Sequence, residues 1–256
     1  MTKTEMEYFL ISELLKDTKQ QEAPIPQSKS ERFQMLRSIF NIRSAKPSSS
    51  MFMEIQDQYL QGVLAEKGIT DLANIQPVNH NEMIYLWQGD ITTLKVDAIV
   101  NAANSQMLGC FIPCHACIDN AIHTFAGIQL RLECDSLMKE QGHPEPIGMA
   151  KITKAYNLPS EYIIHTVGPI VNGKLTQSHC DLLASCYRSC LSLAIENDLK
   201  SIAFCCISTG VFGFPRREAA NIAVSIVRDF LKEHHMQIIF NVFTDSDLKI
   251  YSDILS

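Results

Sequence analysis

The sequence lacks any run of about 20 apolar residues, the length that a membrane-spanning helix requires. It also lacks an excess of basic side chains. Its 22 Lys and Arg against 28 Asp and Glu give a formal net charge of −6, which argues against a broad nucleic-acid-binding surface. Residues 1–17 do not follow the basic-then-apolar order of a secretory signal. We therefore expect a cytoplasmic protein that binds neither membranes nor nucleic acid.

The composition is that of a folded globular protein. The 256 residues suffice for one large α/β domain, or for one domain with a smaller appendage. Hydrophobic residues make up 46% and charged residues 20%, which excludes a disordered or collagen-like chain. The nine cysteines are odd in number and irregularly spaced, so metal binding together with buried thiols explains them better than a disulfide framework.

Soft metal ligands cluster in residues 109–123. Cys110, Cys114, His115 and Cys117 lie close together there, just before an acidic residue and an apolar periodic segment. Thiolate and imidazole ligands favour zinc over magnesium or calcium. On the residues alone, the cluster is either a structural staple, a reaction centre, or a set of buried thiols beside a packed histidine.

The first third of the sequence has helical periodicity without strands. Amphipathic helices are predicted over residues 4–15, 31–42 and 51–67, joined by connectors at 17–30 and 46–50. A change of pattern near residues 76–81 suggests a domain boundary. We expect residues 1–80 to be a helical extension that packs against a main domain, residues 81–256. A role in binding a partner or selecting a substrate is the alternative.

The rest of the chain alternates between strand and helix patterns. Strands are predicted at residues 83–87, 96–100, 151–156, 162–167, 202–207 and 238–243. Helices are predicted at residues 118–139, 177–197, 215–234 and 246–254. This alternation is typical of an α/β fold in which a mostly parallel or mixed sheet is covered by helices on both faces.

Three loops that follow predicted strands carry small or polar residues, and ligands of such sheets bind at the carboxyl ends of strands. Asp90 lies in the first loop, and Asn101 and Asn104 lie in the second. The third loop, residues 208–213, has two glycines and two hydroxyls before a helix, which suits a diphosphate held by backbone N–H groups. A tight strand-to-helix turn is the alternative interpretation of this loop.

Four motifs resemble the macrodomain family in order and spacing. They are Gly-Asp-Ile-Thr at 89–92, Val-Asp-Ala-Ile-Val-Asn-Ala-Ala-Asn at 96–104, Ile-Asp-Asn-Ala-Ile-His at 118–123 and Ile-Ser-Thr-Gly-Val-Phe-Gly-Phe at 207–214. The resemblance covers residues 82–256 and implies a three-layer fold, a mixed sheet between helices, that binds ADP-ribose. Residues 109–117 replace the glycine run of the ordinary hydrolase branch. In this they resemble bacterial zinc-containing macrodomains found beside an ADP-ribosylating sirtuin and a lipoyl-carrier protein.

The resemblance also implies roles for individual residues. One zinc ion per subunit would be held by Cys110, His115 and Cys117, and Cys114 has no counterpart. Asn101, Asn104 and Asp119 would form the catalytic group at the distal ribose. The residues implied to contact ADP-ribose are Asp90, Ile91, Asn104, Ser208, Thr209, Gly210, Val211 and Phe212.

The implied activity is zinc-dependent removal of mono-ADP-ribose from proteins, from an Asp or Glu ester, by a monomeric hydrolase. The modified protein would be a lipoyl carrier that a partner sirtuin has ADP-ribosylated. Two alternatives remain open: a non-catalytic module that binds ADP-ribose or O-acetyl-ADP-ribose, and a structural zinc protein.

Simpler interpretations of single residues also remain open at this point. Asp119 suits the first turn of any helix, Asp90 suits a cap, and the two asparagines suit turns. We assign His123 no catalytic role and take His165 as structural.

Overall fold

Alternating strands and helices build the larger part of the chain, as the sequence pattern predicts. The computed structural model describes residues 1–16, 23–79 and 81–256, so residues 17–22 of the predicted connector and residue 80 of the predicted boundary lie outside the described residues. The helices are α1 (Lys3–Leu15), α2 (Lys29–Ile42), α3 (Ser50–Lys67), α4 (Ile118–Ala126), α5 (Ile128–Gln141), α6 (Gln177–Glu196), α7 (Arg216–Phe230) and α8 (Asp245–Leu255). The strands are β1 (Thr70–Asp71), β2 (Ile84–Gln88), β3 (Leu94–Lys95), β4 (Ala98–Ala103), β5 (Ala150–Lys154), β6 (Tyr162–Val167), β7 (Ser201–Phe204) and β8 (Gln237–Val242). No helix in these ranges is long and apolar enough to cross a membrane.

A six-stranded sheet lies at the centre, in the order β2-β8-β7-β4-β6-β5. All neighbouring strands are parallel except β5, which runs antiparallel to β6. The inner strands are nearly continuous apolar runs, since such strands are buried on both faces. The predicted mixed sheet flanked by helices is therefore confirmed.

The three N-terminal helices pack around a hydrophobic cluster of their own that also includes Ile128 of α5. Inside it, the buried guanidinium of Arg32 donates to the Glu7 carboxylate over 2.7 Å. The short strand β1 pairs in parallel with β3. The three predicted helices are thus present, and both side-chain packing and strand pairing connect residues 1–80 to residues 81–256.

The structure corrects three details of the sequence prediction. The single helix predicted over residues 118–139 is two helices, α4 and α5, because Gly127 between them adopts a φ of 96°. The strand predicted at 202–207 ends at Phe204, where the chain turns into the loop that precedes α7. The helix predicted from residue 31 begins two residues earlier, at Lys29, with Ser28 as its cap.

Replacing Gly127 with alanine should destabilise the fold. A Cβ at residue 127 would lie 2.6 Å from the Gln129 amide oxygen and 2.7 Å from the Gln56 amide nitrogen, and the left-handed backbone adds strain. We expect Gly127→Ala to lower the free energy of unfolding by about 1–3 kcal/mol in denaturant titrations.

The matched control is Gly62→Ala. Gly62 lies within α3 with no atom near its missing Cβ, so alanine there should stabilise by about 0.5–1 kcal/mol. A Gly127→Ala protein as stable as the unmodified chain would contradict this account of the break between α4 and α5.

Candidate active site

Asn101 connects the sheet to the first helix after β4. Its side-chain amide is fully buried and donates to Asp119 Oδ1 over 2.8 Å and to His165 Nδ1 over 3.1 Å. His165 lies opposite Asn101 on β6 and pairs through Nε2 with the Thr153 hydroxyl at 2.9 Å. Burial lowers the pKa of His165 to about 3, so a neutral ring accepts from Asn101. Within the described residues Asn101 Oδ1 is buried and has no hydrogen-bond partner.

Asp119 lies in the first turn of α4 and is 5% exposed. Asn104 Nδ2 lies 3.5 Å from Asp119 Oδ2, and His123 Nε2 lies 3.6 Å from Oδ1. Burial raises the pKa of Asp119 to about 6, although the hydrogen bond from Asn101 and the charge of Arg131 oppose the shift. The structure therefore presents a carboxyl group fixed by an amide and suited to proton transfer. Cys117 caps α4 and Asp119 occupies its first turn, where the helix dipole also favours an acidic residue.

His123 and His165 are both buried beside this carboxyl group. Their ring centroids are 6.1 Å apart. Burial, reinforced by the neighbouring His165 and Arg131, lowers the pKa of His123 well below its ordinary value. Both rings are therefore neutral. His123 lies four residues after Asp119, on the same face of α4. His165 contacts the site through Asn101.

The soft ligands of the loop before α4 come together. The ligand atoms of Cys110, His115 and Cys117 all lie within 4.8 Å of one another, and each residue is half-buried. Cys110 Sγ lies 3.6 Å from His115 Nδ1, close to the roughly 3.5–3.8 Å edge of a zinc tetrahedron with sulfur and nitrogen ligands. These residues fit a zinc ion with one open coordination position. Cys114 Sγ is exposed and contacts the Gln34 carbonyl oxygen instead, 3.3 Å away.

The loop after β7 presents backbone N–H groups. Within the described residues, the N–H groups of Ser208, Gly210, Val211 and Phe212 donate no hydrogen bond to the protein. Ser208 is buried, has a φ of 64°, and its hydroxyl has no partner among these residues. A Cβ on Gly168 would lie 2.0 Å from the Ser208 hydroxyl, so glycine is needed there. Unpaired N–H groups before a helix suit an anionic ligand.

Asp90, at the end of β2, is already engaged by protein groups. Its Oδ1 accepts from the Thr92 N–H at 3.0 Å and from the Thr92 hydroxyl at 2.7 Å, which confirms that Asp90 caps the short turn after it. Its Oδ2 accepts from Lys67 Nζ of α3 at 2.6 Å. Burial disfavours the charged carboxylate, yet the hydrogen bonds from Lys67 and Thr92 outweigh it and lower the pKa of Asp90. Ile91 beside it is buried.

The predicted residues are spread along the carboxyl edge of the sheet. Asp90 follows β2, and the Ser208 loop follows β7. Asn101 lies within β4 instead of in the predicted loop after it, because the strand continues to Ala103; β4 is three strand positions from β2. Three spacings of about 4.8 Å between neighbouring strands separate β2 from β4 by roughly 14 Å. This distance suits an extended ligand with a base at one end and a sugar at the other. Asn101 and Asn104 both contact Asp119, whereas Asp90 and the Ser208 loop lie further along the edge.

Several residues that contact these groups have no local sequence signal. No motif or spacing marks Arg37 and Asn41 of α2, Lys67 of α3, or Arg131 of α5, whose Nε donates to the Leu108 carbonyl oxygen over 2.7 Å. Only Asn120 lies within a motif, directly after Asp119.

Comparisons with known proteins agree with this arrangement. The sequence profile of the Macro domain family matches residues 100–223. A Treponema medium protein named protein-ADP-ribose hydrolase is 54% identical, with all of both chains covered. The chain belongs to the macrodomain family. A Staphylococcus aureus protein of the same name is 48% identical over 98% of this macrodomain and 95% of its own length. The structure of a Trypanosoma brucei macrodomain in complex with ADP-ribose is similar, with a TM-score of 0.67 and 32% identity over 90% of this chain and 97% of that one.

The contact of Lys67 with Asp90 should be measurable by titration. We expect Lys67→Met to raise the pKa of Asp90, measured by NMR of the Asp90 carboxyl carbon as the pH is varied. The lowered folded-state pKa stabilises the macrodomain near neutral pH, and this contribution is lost as the pH falls through that pKa. Acidification should therefore lower the free energy of unfolding by less in Lys67→Met than in the unmodified protein.

Lys95→Met is the matched control, because Lys95 pairs with Asp71 at 3.6 Å instead. It should leave the pKa of Asp90 unchanged. An Asp90 pKa that is the same in Lys67→Met and in the unmodified protein would show that the ion pair does not form in solution.

Proposed function

We propose that this macrodomain is a zinc-dependent protein ADP-ribosylhydrolase that removes mono-ADP-ribose from proteins, with an Asp or Glu ester as the bond cleaved. Two relatives that match nearly its whole length are named protein-ADP-ribose hydrolase. The observation that carries the proposal is the buried Asp119 carboxyl, held by Asn101 and two residues from the ligand Cys117. A module that only binds ADP-ribose has no evident need for this combination.

In this proposal the ligand would lie along the carboxyl edge of the sheet. The N–H groups of Ser208, Gly210, Val211 and Phe212, which donate to no protein group among the described residues, would hold the diphosphate. Asp90 and Ile91 would contact the adenine end, and Asn101 and Asn104 would face the distal ribose. The similar macrodomain solved in complex with ADP-ribose supports ADP-ribose as the ligand. Binding the diphosphate in this loop would position the reacting carbon beside Asp119.

The protein side of the reaction rests on Asp119. Its carboxylate would orient a water molecule or a ribose hydroxyl and accept its proton, and the hydrogen bond from Asn101 keeps Oδ1 in place. Its low exposure excludes competing solvent. Zinc, when bound by Cys110, His115 and Cys117, would supply Lewis-acid polarisation or a bound water of lowered pKa.

The substrate and setting follow from the same proposal. We propose that a monomeric, cytoplasmic enzyme acts on a mono-ADP-ribosylated protein. A lipoyl carrier modified by a sirtuin is the first substrate to test, because the loop at residues 109–117 resembles that of the macrodomains found beside such proteins.

The zinc site can be tested with two cysteines of one loop. We expect one zinc ion per chain, and Cys117→Ser should weaken zinc binding by more than about 100-fold in competition with a chromogenic chelator, since it removes a direct ligand. Cys114→Ser is the matched control and should bind zinc as the unmodified chain does, because its sulfur contacts Gln34.

Equal zinc affinity in both variants would contradict the assigned ligand set. Full hydrolase activity in metal-free protein would contradict the catalytic role of the ion. If the zinc were only structural, its removal would lower the melting temperature sharply, and Cys117→Ser would unfold the domain.

Asp119 can be tested by separating catalysis from binding. We expect Asp119→Ala to slow the release of ADP-ribose from a modified protein by about 100-fold to 10,000-fold, as for the loss of a general base, while calorimetry still detects ADP-ribose binding. Asp135→Ala, which removes an ion pair with the exposed Lys139 on α5, should be fully active. If the unmodified protein binds ADP-ribose but releases none over time, the macrodomain is a binding module.

A further inference from the structure

The helical extension reaches the metal-ligand loop through polar side chains of α2. Arg37 and Asn41 lie one turn apart on this helix and contact residues about 80 positions later in the sequence. The stacked rings of Phe33 and Phe125, 6.4 Å apart, hold α2 against α4 next to these contacts. A helix outside the region of family resemblance therefore touches the loop that carries the ligands.

Arg37 makes the most direct contact. Its Nη2 donates to the His115 backbone carbonyl oxygen over 3.0 Å, and its Nε and Nη2 both donate to Asn120 Oδ1, over 3.1 and 2.8 Å. One planar guanidinium thus binds the backbone of one ligand residue and a side chain at the start of α4. A rigid fork of this kind fixes direction as well as distance.

Asn120, which Arg37 holds in place, itself contacts two further residues of the loop, Ile112 and Cys117. Its Nδ2 donates to the Ile112 carbonyl oxygen over 3.0 Å, and its backbone N–H donates to Cys117 Sγ over 3.4 Å. The Asn120 side chain is fully buried. Arg37, through Asn120, therefore acts on the segment that sets the positions of His115 and Cys117.

Asn41 holds the middle of the loop. Its Oδ1 accepts from the Cys114 N–H at 2.8 Å, and its Nδ2 donates to the Thr124 hydroxyl over 3.0 Å. Cys114 has a φ of 53°, a conformation that a residue other than glycine keeps only where its surroundings enforce it. This contact supplies part of that enforcement.

We propose that Arg37 is a positioning residue for the metal site, so that α2 preorganises residues 110–117 for metal binding. The inference rests on the proposed zinc function. Groups that orient metal ligands without touching the metal commonly change affinity when removed. Without Arg37, the His115 carbonyl and Asn120 Oδ1 lose their donors, the loop gains freedom, and ordering it on metal binding costs more.

The experiment compares zinc affinity across full-length variants by chelator competition. Arg37→Ala should bind zinc about 10-fold to 100-fold more weakly than the unmodified chain. Arg37→Lys keeps the positive charge but loses the planar guanidinium group, so its zinc affinity should lie between those of Arg37→Ala and the unmodified chain. Arg217→Ala is the control: Arg217 also joins two helices, through a 2.8 Å ion pair with Asp253, away from the loop. It should bind zinc normally.

ADP-ribose affinity of the metal-free proteins and free energies of unfolding are measured alongside. ADP-ribose affinity should be unchanged in every variant. An Arg37→Ala protein with lowered stability but unaltered zinc affinity would overturn the proposal, since Arg37 would then only join two helices. Cys117→Ser separates the proposed zinc site from the proposed role of Arg37. If Cys117→Ser loses zinc while Arg37→Ala binds it normally, the zinc site stands and only the positioning role of Arg37 fails. If the unmodified chain binds no zinc, the proposed function fails with it.

Discussion

The hydrogen bond from the Asn101 amide to the Asp119 carboxylate is the constraint on which the site depends. Asn101 is set by the register of β4 against β6, and Asp119 is set by the start of α4. The bond therefore fixes the first turn of α4 relative to the end of a central strand. Cys117 caps the same helix, so fixing the start of α4 also fixes the end of the loop at residues 110–117. Both partners are buried, so breaking this bond would leave polar groups without hydrogen bonds or water, at a cost in free energy.

The N-terminal helices are part of the site's surroundings. Lys67 of α3 reaches Asp90 at one end of the carboxyl edge, and Arg37 of α2 reaches His115 and Asn120 at the other. Between them, α1 to α3 share a hydrophobic cluster with α5. The boundary drawn at residue 80 thus separates two patterns in the sequence, while the contacts join them into one structure.

Much of the fold could be predicted from periodicity. Buried parallel strands such as β8 are short apolar runs with helical patterns between them, and strand ends mark the ligand edge, so Asp90, Asn101 and the Ser208 loop could be placed from sequence. The break at Gly127 could not, since an isolated glycine is tolerated inside many helices. Arg37 and Lys67 could not either, because their partners lie far along the chain and no spacing rule connects them.

The central claim is that one ion, bound by Cys110, His115 and Cys117, lies beside the distal ribose of bound ADP-ribose. Anomalous diffraction at the zinc absorption edge, from crystals of the full chain grown with zinc and ADP-ribose, tests it most directly. The account predicts one anomalous peak about 2.3 Å from both sulfurs and about 2.1 Å from the imidazole nitrogen, with the distal ribose facing it and Asp119. A peak at other residues, or a ribose bound away from the ion, would contradict it.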